Sequence, residues 1–249
     1  RRDLTLPSWL TPRVKPDQPV QSDSKPAILN PPSSTDTLGR FETKQELTAL
    51  SKRWEALAAQ DPDLQVSAFM LALDDGRYAQ LNPDTALPAA SAIKTPILLV
   101  AIEEIDAGRL SWNEPLTLSK TVVGGGAGWM ASKPLGTRFP TYEVATEMIR
   151  VSDNTATNLL IERVGGQADL NARFNSLGLS ATKVNNWLPD LKGTNTTSAR
   201  DLARAIALVD TGEALSMRGR DLFREVMGTS VTNRLLPGGL LKGLGGSQG

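Results

Sequence analysis

The sequence predicts an α+β domain, because a single β-hairpin is followed by many helical segments. The hairpin comprises residues 64–73 and 77–81, which are rich in strand-forming residues and are joined by the turn Asp74-Asp75-Gly76. An amphipathic helix is predicted before it, at 42–60, with one apolar face made of Leu47, Leu50, Trp54 and Leu57. Further helices are predicted at about 91–107, 141–150, 155–163, 167–177, 198–210 and 217–227.

Two regions differ in composition and divide the chain. Residues 1–40 contain seven of the sixteen prolines and show little apolar periodicity, so this region is predicted to be a Pro-rich extended linker or tether. Residues 41–249 are predicted to form one domain, in which 111–140 and 182–197 are mostly irregular. The sequence starts at Arg1 rather than Met, and we expect that an N-terminal leader or membrane anchor preceded it.

The composition excludes several classes of chemistry. Lys plus Arg and Asp plus Glu both number 27, so no basic surface argues for nucleic acid. The sequence has neither histidine nor cysteine, which excludes a Ser-His-Asp or Cys-His machinery, disulfides, and zinc sites built from those residues. The glycine cluster at 124–128 lacks the lysine of a phosphate-binding loop. No cofactor or metal is therefore expected.

The first candidate motif is Ser91-x-x-Lys94, at the start of a helical pattern whose first turns are apolar all round. Residues three apart share one helix face, with Cβ atoms about 5–6 Å apart, so the lysine amine could accept the proton of the serine hydroxyl. Serine is also a common helix cap, and the same pattern recurs at Ser22–Lys25 and Ser180–Lys183. Taken alone, this motif leaves a catalytic and a capping role equally open.

The second motif is Ser152-Asp153-Asn154, between two predicted helices. All three residue types cap helices well, so a structural role ahead of Ala156 is again a complete explanation. Together with the first motif, however, a serine hydroxyl and an asparagine amide would supply a proton shuttle and an anchor for a substrate amide.

The pair of motifs resembles the class A β-lactamases and the related penicillin-binding proteins. Three flanking segments match as well, IDAGRL at 105–110, DNTATN at 153–158 and TTSARDLA at 196–203, so that the resemblance covers about residues 42–240. It implies a β-lactamase/transpeptidase-like fold, in which a helical subdomain accompanies an antiparallel sheet.

The resemblance also assigns roles to the candidate residues. Ser91 would be the acylated nucleophile and Lys94 its base, while Ser152 would pass a proton to the leaving nitrogen. Asn154 would hold the side-chain amide of the substrate and orient Lys94. Trp129 lies near the family's aromatic residue at the cleft rim, although an anchoring role in its loop is an equal alternative.

Two departures from the family pattern affect turnover. Leu188 stands where the family carries the glutamate that activates the deacylating water, and Lys192 replaces an asparagine that helps to hold it. Asp190 is the nearest carboxylate, two positions further on. The family's Lys-Thr-Gly strand is also missing. Leu235–Leu240 resembles its lead-in, but Lys242-Gly243 lacks the middle hydroxyl residue, so the sheet is expected to be incomplete.

The functional hypothesis is a serine acyl-enzyme hydrolase that acts on β-lactam rings or D-Ala-D-Ala-like amides, with weak deacylation. Two alternatives remain. One is a penicillin-binding or sensor-type module that stays acylated, and the other is an inactive pseudoenzyme with an interaction role. The expected partners are small-molecule β-lactams or peptidoglycan-like peptides, and the expected location is periplasmic or extracellular.

Overall fold

The computed structural model describes residues 41–231. The linker expected at 1–40 lies outside these residues. The segment after residue 231, where the sequence has Lys242-Gly243 and the sheet was expected to be incomplete, lies outside them as well. Within 41–231 there are seven α-helices. They are α1 (Thr48–Ala58), α2 (Lys94–Asp106), α3 (Thr141–Arg150), α4 (Asn154–Arg163), α5 (Gly166–Ser176), α6 (Ala199–Asp210) and α7 (Met217–Gly228).

Seven short strands in the same residues form three small sheets. The strands are β1 (Gln45–Glu46), β2 (Ala68–Leu71), β3 (Arg77–Leu81), β4 (Leu87–Pro88), β5 (Pro115–Thr117), β6 (Arg138–Pro140) and β7 (Thr196–Thr197). The largest sheet has the order β1-β3-β2, in which β2 and β3 are the predicted hairpin and β1 runs parallel to β3. The predicted α+β class is confirmed.

The beginning of the domain differs from the prediction. A helix was expected from residue 42, but Gln45 and Glu46 form β1 and the helix begins only at Thr48. The open edge of β3 explains the difference, because Lys44 and Leu47 donate backbone hydrogen bonds to Gly76 and Tyr78. On α1, Leu57 remains 55% exposed, since it lines a groove of about 300 Å³ beside Leu64 rather than a closed core.

Helix α2 is the centre of the domain. Every residue from Pro96 to Glu103 is buried, and α2 contacts α3, α4, α5, α6 and α7. The helix ends as predicted, because Gly108 adopts the left-handed conformation at φ +71° that the turn after Asp106 requires. Because five helices surround α2, its N-terminal residue Lys94 has a well-defined position.

The remaining predicted helices agree with the structure to within one residue at each end. The stretch 111–140, predicted to be mostly irregular, contains the antiparallel pair β5–β6, and Thr196 and Thr197 at the end of the second irregular stretch pair with β4. Strands of two or three residues are too short to produce a periodic pattern. None of the helices in residues 41–231 combines the length and the apolar character needed to cross a bilayer.

Candidate active site

Ser91 lies on an exposed turn at the N-terminal end of α2. Pairing of Pro88 with Thr196 and a hydrogen bond from the Ala89 N–H to the Asn195 carbonyl hold the preceding chain. Ala90 then adopts a left-handed conformation at φ +45°, and a 3₁₀ turn from Ala90 to Ile93 leads into α2. Ser91 is therefore one turn earlier than the first α-helical residue, and the turn directs it to the surface.

Lys94, the first residue of α2, is 2% exposed and its amine is surrounded by oxygen atoms. The Nζ atom lies 3.2 Å from Ser91 Oγ, 2.7 Å from Ser152 Oγ, and 2.6 Å from the Ser152 carbonyl oxygen. Burial lowers the pKa of Lys94 from 10.5 to about 8, although Asp153 acts in the opposite direction. At neutral pH only a minor fraction of Lys94 is therefore uncharged, and this fraction is able to accept a proton.

Ser152 joins the two sides of the site. Its backbone has φ +61°, a left-handed conformation that is uncommon for a residue other than glycine. In this conformation both its carbonyl and its hydroxyl oxygen accept hydrogen bonds from Lys94, and the hydroxyl donates to Ser91 Oγ at 2.8 Å. Lys94 Nζ, Ser91 Oγ and Ser152 Oγ thus form a closed triangle of polar contacts.

Asn154 completes the cluster from the first turn of α4. Its Oδ1 accepts a hydrogen bond from Lys94 at 3.0 Å, and its Nδ2 donates to the Gly125 carbonyl at 2.8 Å. These two bonds fix the orientation of the amide. Of the predicted site residues, Ser91, Lys94, Ser152 and Asn154 therefore lie together.

Asp153 forms the cap of α4, as the structural explanation of the second motif expected. Its carboxylate is fully buried and accepts hydrogen bonds from the backbone N–H groups of Ala156, Trp129 and Met130. A Cβ atom on Gly128 would lie 2.1 Å from this carboxylate, so only glycine fits there. Asp153 thus connects α4 to the glycine-rich segment 124–128.

Trp129 lies apart from the cluster of four and makes contacts typical of a loop anchor. Its indole N–H donates to Glu147, and its ring meets the ring of Phe139 edge-on at a centroid distance of 5.9 Å. Glu147 is in turn paired with Arg150. These contacts favour the anchoring alternative for Trp129 over contact with substrate.

Leu188 is buried and belongs to the hydrophobic core. Its backbone N–H donates to Asn158 Oδ1 at 2.9 Å, and its carbonyl oxygen accepts from Asn158 Nδ2 at 2.8 Å. The peptide bond to Pro189 is cis. Leu188, which the resemblance aligns with the family's glutamate, is therefore held through both of its backbone polar groups, and its side chain cannot accept a proton.

Asp190 is engaged within its own loop. Its carboxylate accepts hydrogen bonds from the Asn195 N–H at 2.6 Å, the Thr194 hydroxyl at 3.0 Å and the Asn186 amide at 3.4 Å. Desolvation alone would raise the pKa of Asp190, but these hydrogen bonds outweigh it and hold the pKa below the ordinary aspartate value. A carboxylate stabilised in its charged form within the loop is a poor candidate for the base.

Neither Asn158 nor the contacts of the 124–128 segment were predicted from the sequence. Asn158 was part of the matching DNTATN segment, and its spacing of four from Asn154 places both amides on one face of α4. That spacing could have identified Asn158 as a second polar residue facing the site. The contacts of Gly124 with Leu188 and of Gly125 with Asn154 join distant segments and had no local signal.

Comparison with known sequences relates this chain to β-lactamases. Residues 49–245 match the model of the family described as the β-lactamase enzyme family. A β-lactamase of Streptomyces albus G is 28% identical over 169 residues, which are 64% of this chain and 54% of the relative. A β-lactamase of Amycolatopsis lactamdurans is 28% identical over 200 residues, which are 76% of this chain and 61% of the relative. The chain thus spans little more than half the length of these two relatives.

Solved structures show the same relationship. The structure of PBP-A has a TM-score of 0.78 and 40% sequence identity, and the match covers 80% of this chain and 76% of PBP-A. A leucine-to-glutamate mutant of PBP-A, solved as an acyl-enzyme complex with penicillin G, has a TM-score of 0.77 and 41% identity over 79% of this chain and 75% of that chain. An ancestral class A β-lactamase, 24% identical with a TM-score of 0.66 over 74% and 72% of the two chains, shares the fold.

Proposed function

Since this chain belongs to the β-lactamase enzyme family, we propose that it is a serine acyl-enzyme that reacts with β-lactams or D-Ala-D-Ala-like amides and releases the acyl group slowly. The observation that carries this proposal is the triangle of contacts among Lys94 Nζ, Ser91 Oγ and Ser152 Oγ. It joins a nucleophile, a base and a proton shuttle within 3.2 Å of one another.

In the proposed acylation, uncharged Lys94 accepts the Ser91 hydroxyl proton as Ser91 Oγ attacks the carbonyl carbon of the ligand. The tetrahedral adduct collapses when the carbon–nitrogen bond of the ligand breaks, and the acyl group remains on Ser91 as an ester. The proton reaches the leaving nitrogen through Ser152, whose hydroxyl contacts both Lys94 and Ser91. The depressed pKa of Lys94 supports its role as the base.

Asn154 is proposed to bind the carbonyl of the ligand's side-chain amide. Within residues 41–231, its Oδ1 accepts from Lys94 and its Nδ2 donates to the Gly125 carbonyl alone, so we assign the other N–H to a ligand. The acyl-enzyme described for the PBP-A mutant with penicillin G supports a penicillin as a ligand class.

Deacylation is proposed to be the slow step, because it requires a base that deprotonates water near the ester. Leu188 is hydrocarbon, and Asp190 is held within its own loop by three hydrogen-bond donors. The buried Leu188 side chain would also disfavour an ordered water molecule. The protein would then behave as a penicillin-binding module more than as an efficient β-lactamase.

Labelling of the full-length protein with a fluorescent penicillin tests the proposed nucleophile. We expect covalent labelling of the unaltered protein and none of Ser91→Ala. Ser22→Ala and Ser180→Ala, which alter the other two copies of the motif, are matched controls and should label normally. Labelling that survives in Ser91→Ala would contradict the proposal, and a protein that never becomes labelled would favour a pseudoenzyme.

We further propose that the protein acts outside the cytoplasm, in the periplasm or as an extracellular or anchored protein, because that is where peptidoglycan peptides are found. Fractionation of cells that express the full-length gene tests this location. Accumulation in the cytoplasmic fraction would contradict it.

A further inference from the structure

The chain reaches Ser91 through residues 82–90, called here the leading segment, which contact the first turn of α6. We propose that Arg200, in that turn, is a positioning residue for acylation, which fixes the start of the leading segment and thereby the place of the Ser91 hydroxyl. This inference rests on the proposed function and adds to it a residue outside the cluster of four.

Ser91 owes its position less to helix packing than its neighbours in the cluster do. Lys94 and Asn154 are buried residues of α2 and α4, whereas Ser91 lies on an exposed 3₁₀ turn. The leading segment before it has one regular element, the two-residue strand β4, and its end residues Asn82 and Ala90 both have a left-handed φ of +45°. Such backbone persists in residues other than glycine only where the surroundings impose it. The place of Ser91 therefore depends on what holds the leading segment.

The leading segment is held at both ends by the chain around the start of α6. Near Ser91, the Ala89 N–H donates to the Asn195 carbonyl at 2.8 Å. At the far end, the Arg200 backbone N–H donates to the Pro83 carbonyl at 3.0 Å. The Arg200 guanidinium also donates to both carboxylate oxygens of Asp84, at 2.7 and 3.3 Å. A two-point contact of this kind restricts the orientation of the partner as well as its distance.

The Arg200 side chain is itself fixed by the hairpin. Its Nη2 atom donates to Gln80 Oε1 on β3 at 3.1 Å, and its guanidinium lies over the ring of Phe69 on β2, 4.6 Å from the ring centroid. Its side chain is only 26% exposed, whereas that of Asp84 is 71% exposed. Arg200 thus connects the mobile-looking partner, an exposed carboxylate on the leading segment, to two paired strands.

Arginine is an unfavourable choice for α6 itself. Arg200 is the second residue of this helix, and a positive charge is disfavoured at the positive end of the helix dipole. Ser198 already caps the helix, and Asp201 supplies the acidic residue that suits its first turn. The contacts of Arg200 with the leading segment and the hairpin explain its presence better than helix formation does. Because surface ion pairs contribute little to stability, removing this one should affect folding less than it affects Ser91.

The test measures acylation of the full-length protein by penicillin G over a range of penicillin concentrations. Arg200→Ala removes the guanidinium, and Asp84→Ala removes its partner on the leading segment. Arg109→Ala is the matched control. The Arg109 guanidinium also makes two hydrogen bonds to a carboxylate, that of Glu104, at 2.7 Å each, but it lies beyond the opposite end of α2 from Ser91.

We expect Arg200→Ala to lower the acylation rate at saturating penicillin G by about tenfold, because misplacing a reacting group by about 1 Å can cost about 10²-fold. The penicillin concentration that gives half of the maximal rate should change by less than about twofold, because the contacts that bind the ligand are unaltered. Asp84→Ala should lower the rate to a similar extent. The double variant should lose no more than either single variant, since both remove the same contact. Arg109→Ala should acylate at the unaltered rate.

An unaltered rate in Arg200→Ala, or equal losses in Arg200→Ala and Arg109→Ala, would overturn this inference while leaving the proposed function intact. The unfolding temperatures of these two variants, measured by circular dichroism, should be similar. A fall in Arg200→Ala far beyond that in Arg109→Ala would show that the residue supports the fold and not the place of Ser91. Failure of the unaltered protein to form any adduct would overturn the proposed function and this inference with it.

Discussion

Asn158 holds both backbone polar groups of Leu188, because its Nδ2 donates to the Leu188 carbonyl and its Oδ1 accepts from the Leu188 N–H. Asn158 itself is 1% exposed and also donates to the Val122 carbonyl. The loop that carries Leu188 is thereby tied to α4, the same helix that carries Asn154. Leu188, which the resemblance aligns with the family's deacylating glutamate, is thus held in place by α4 although its side chain is hydrocarbon.

Replacing Asn158 by alanine should destabilise the domain. Three backbone groups would lose their partner in a place that water cannot easily reach, which should lower the free energy of unfolding by about 3 kcal/mol. Asn171 holds Val184 with the same pair of hydrogen bonds but is partly exposed, so Asn171→Ala should cost only about 1 kcal/mol. Urea unfolding of both variants measures the difference. Equal losses would contradict the importance that we assign to burial of Asn158.

Acylation should become faster as the pH rises through about 8. Lys94 can accept the Ser91 proton only when it is uncharged, and its pKa is lowered to about 8 by burial. Below that pH the rate should fall by about tenfold per pH unit, and above it the rate should level off. The measurement is the rate of adduct formation with penicillin between pH 6 and pH 10. A rate that is constant over pH 6–8 would exclude Lys94 as the base.

Asp190→Asn should leave the lifetime of the acyl adduct unchanged to within about twofold, because its carboxylate points into the loop and serves as a hydrogen-bond acceptor for Asn195 and Thr194. The same variant should unfold at a lower temperature, since hydrogen bonds to a charged acceptor are the stronger kind. Adduct lifetime is measured by mass spectrometry and the unfolding temperature by circular dichroism. A lifetime that lengthens many-fold would identify Asp190 as the base after all.

Leu188→Glu should shorten the adduct lifetime. A carboxylate at position 188, whose backbone Asn158 holds, would supply the missing base, and general bases contribute about 10²-fold or more to such steps. Leu188→Gln is the matched control, because it has nearly the same shape but accepts no proton at neutral pH. Equal lifetimes in the two variants would show that the base is not what this site lacks.

The fold was predictable to the extent that its elements carry a periodic pattern. Helices α3 to α7 and the hairpin β2–β3 follow directly from such patterns. The pairing of Gln45 and Glu46 with β3 was missed because it depends on the open edge of a strand whose paired residues, Arg77 and Tyr78, lie 32 positions further along the chain. The exposure of Leu57 was not predicted, because an apolar helix face indicates that packing is favourable there but does not show which segment packs against it.

The site was predictable where two motifs supplement each other. The spacings of Ser91 with Lys94 and of Ser152 with Asn154 were sufficient to propose that the four side chains meet, and the structure places them in contact. The strained backbone of Ser152 has no signature in a single sequence, because serine adopts left-handed φ only where its surroundings impose it. The same holds for the glycine-rich segment 124–128, because packing requires glycine at Gly124 and Gly128 only through contacts with the distant residues Leu188 and Asp153.

The most direct test of slow deacylation is the lifetime of the adduct on the unaltered protein. The full-length protein is mixed with penicillin G, the excess is removed, and intact-protein mass spectra are recorded over time, with Ser91→Ala as the blank. We expect one mass increment of a whole penicillin molecule, located on Ser91, that persists long after acylation is complete. Rapid return to the unmodified mass, with many penicillin molecules hydrolysed per protein, would contradict it.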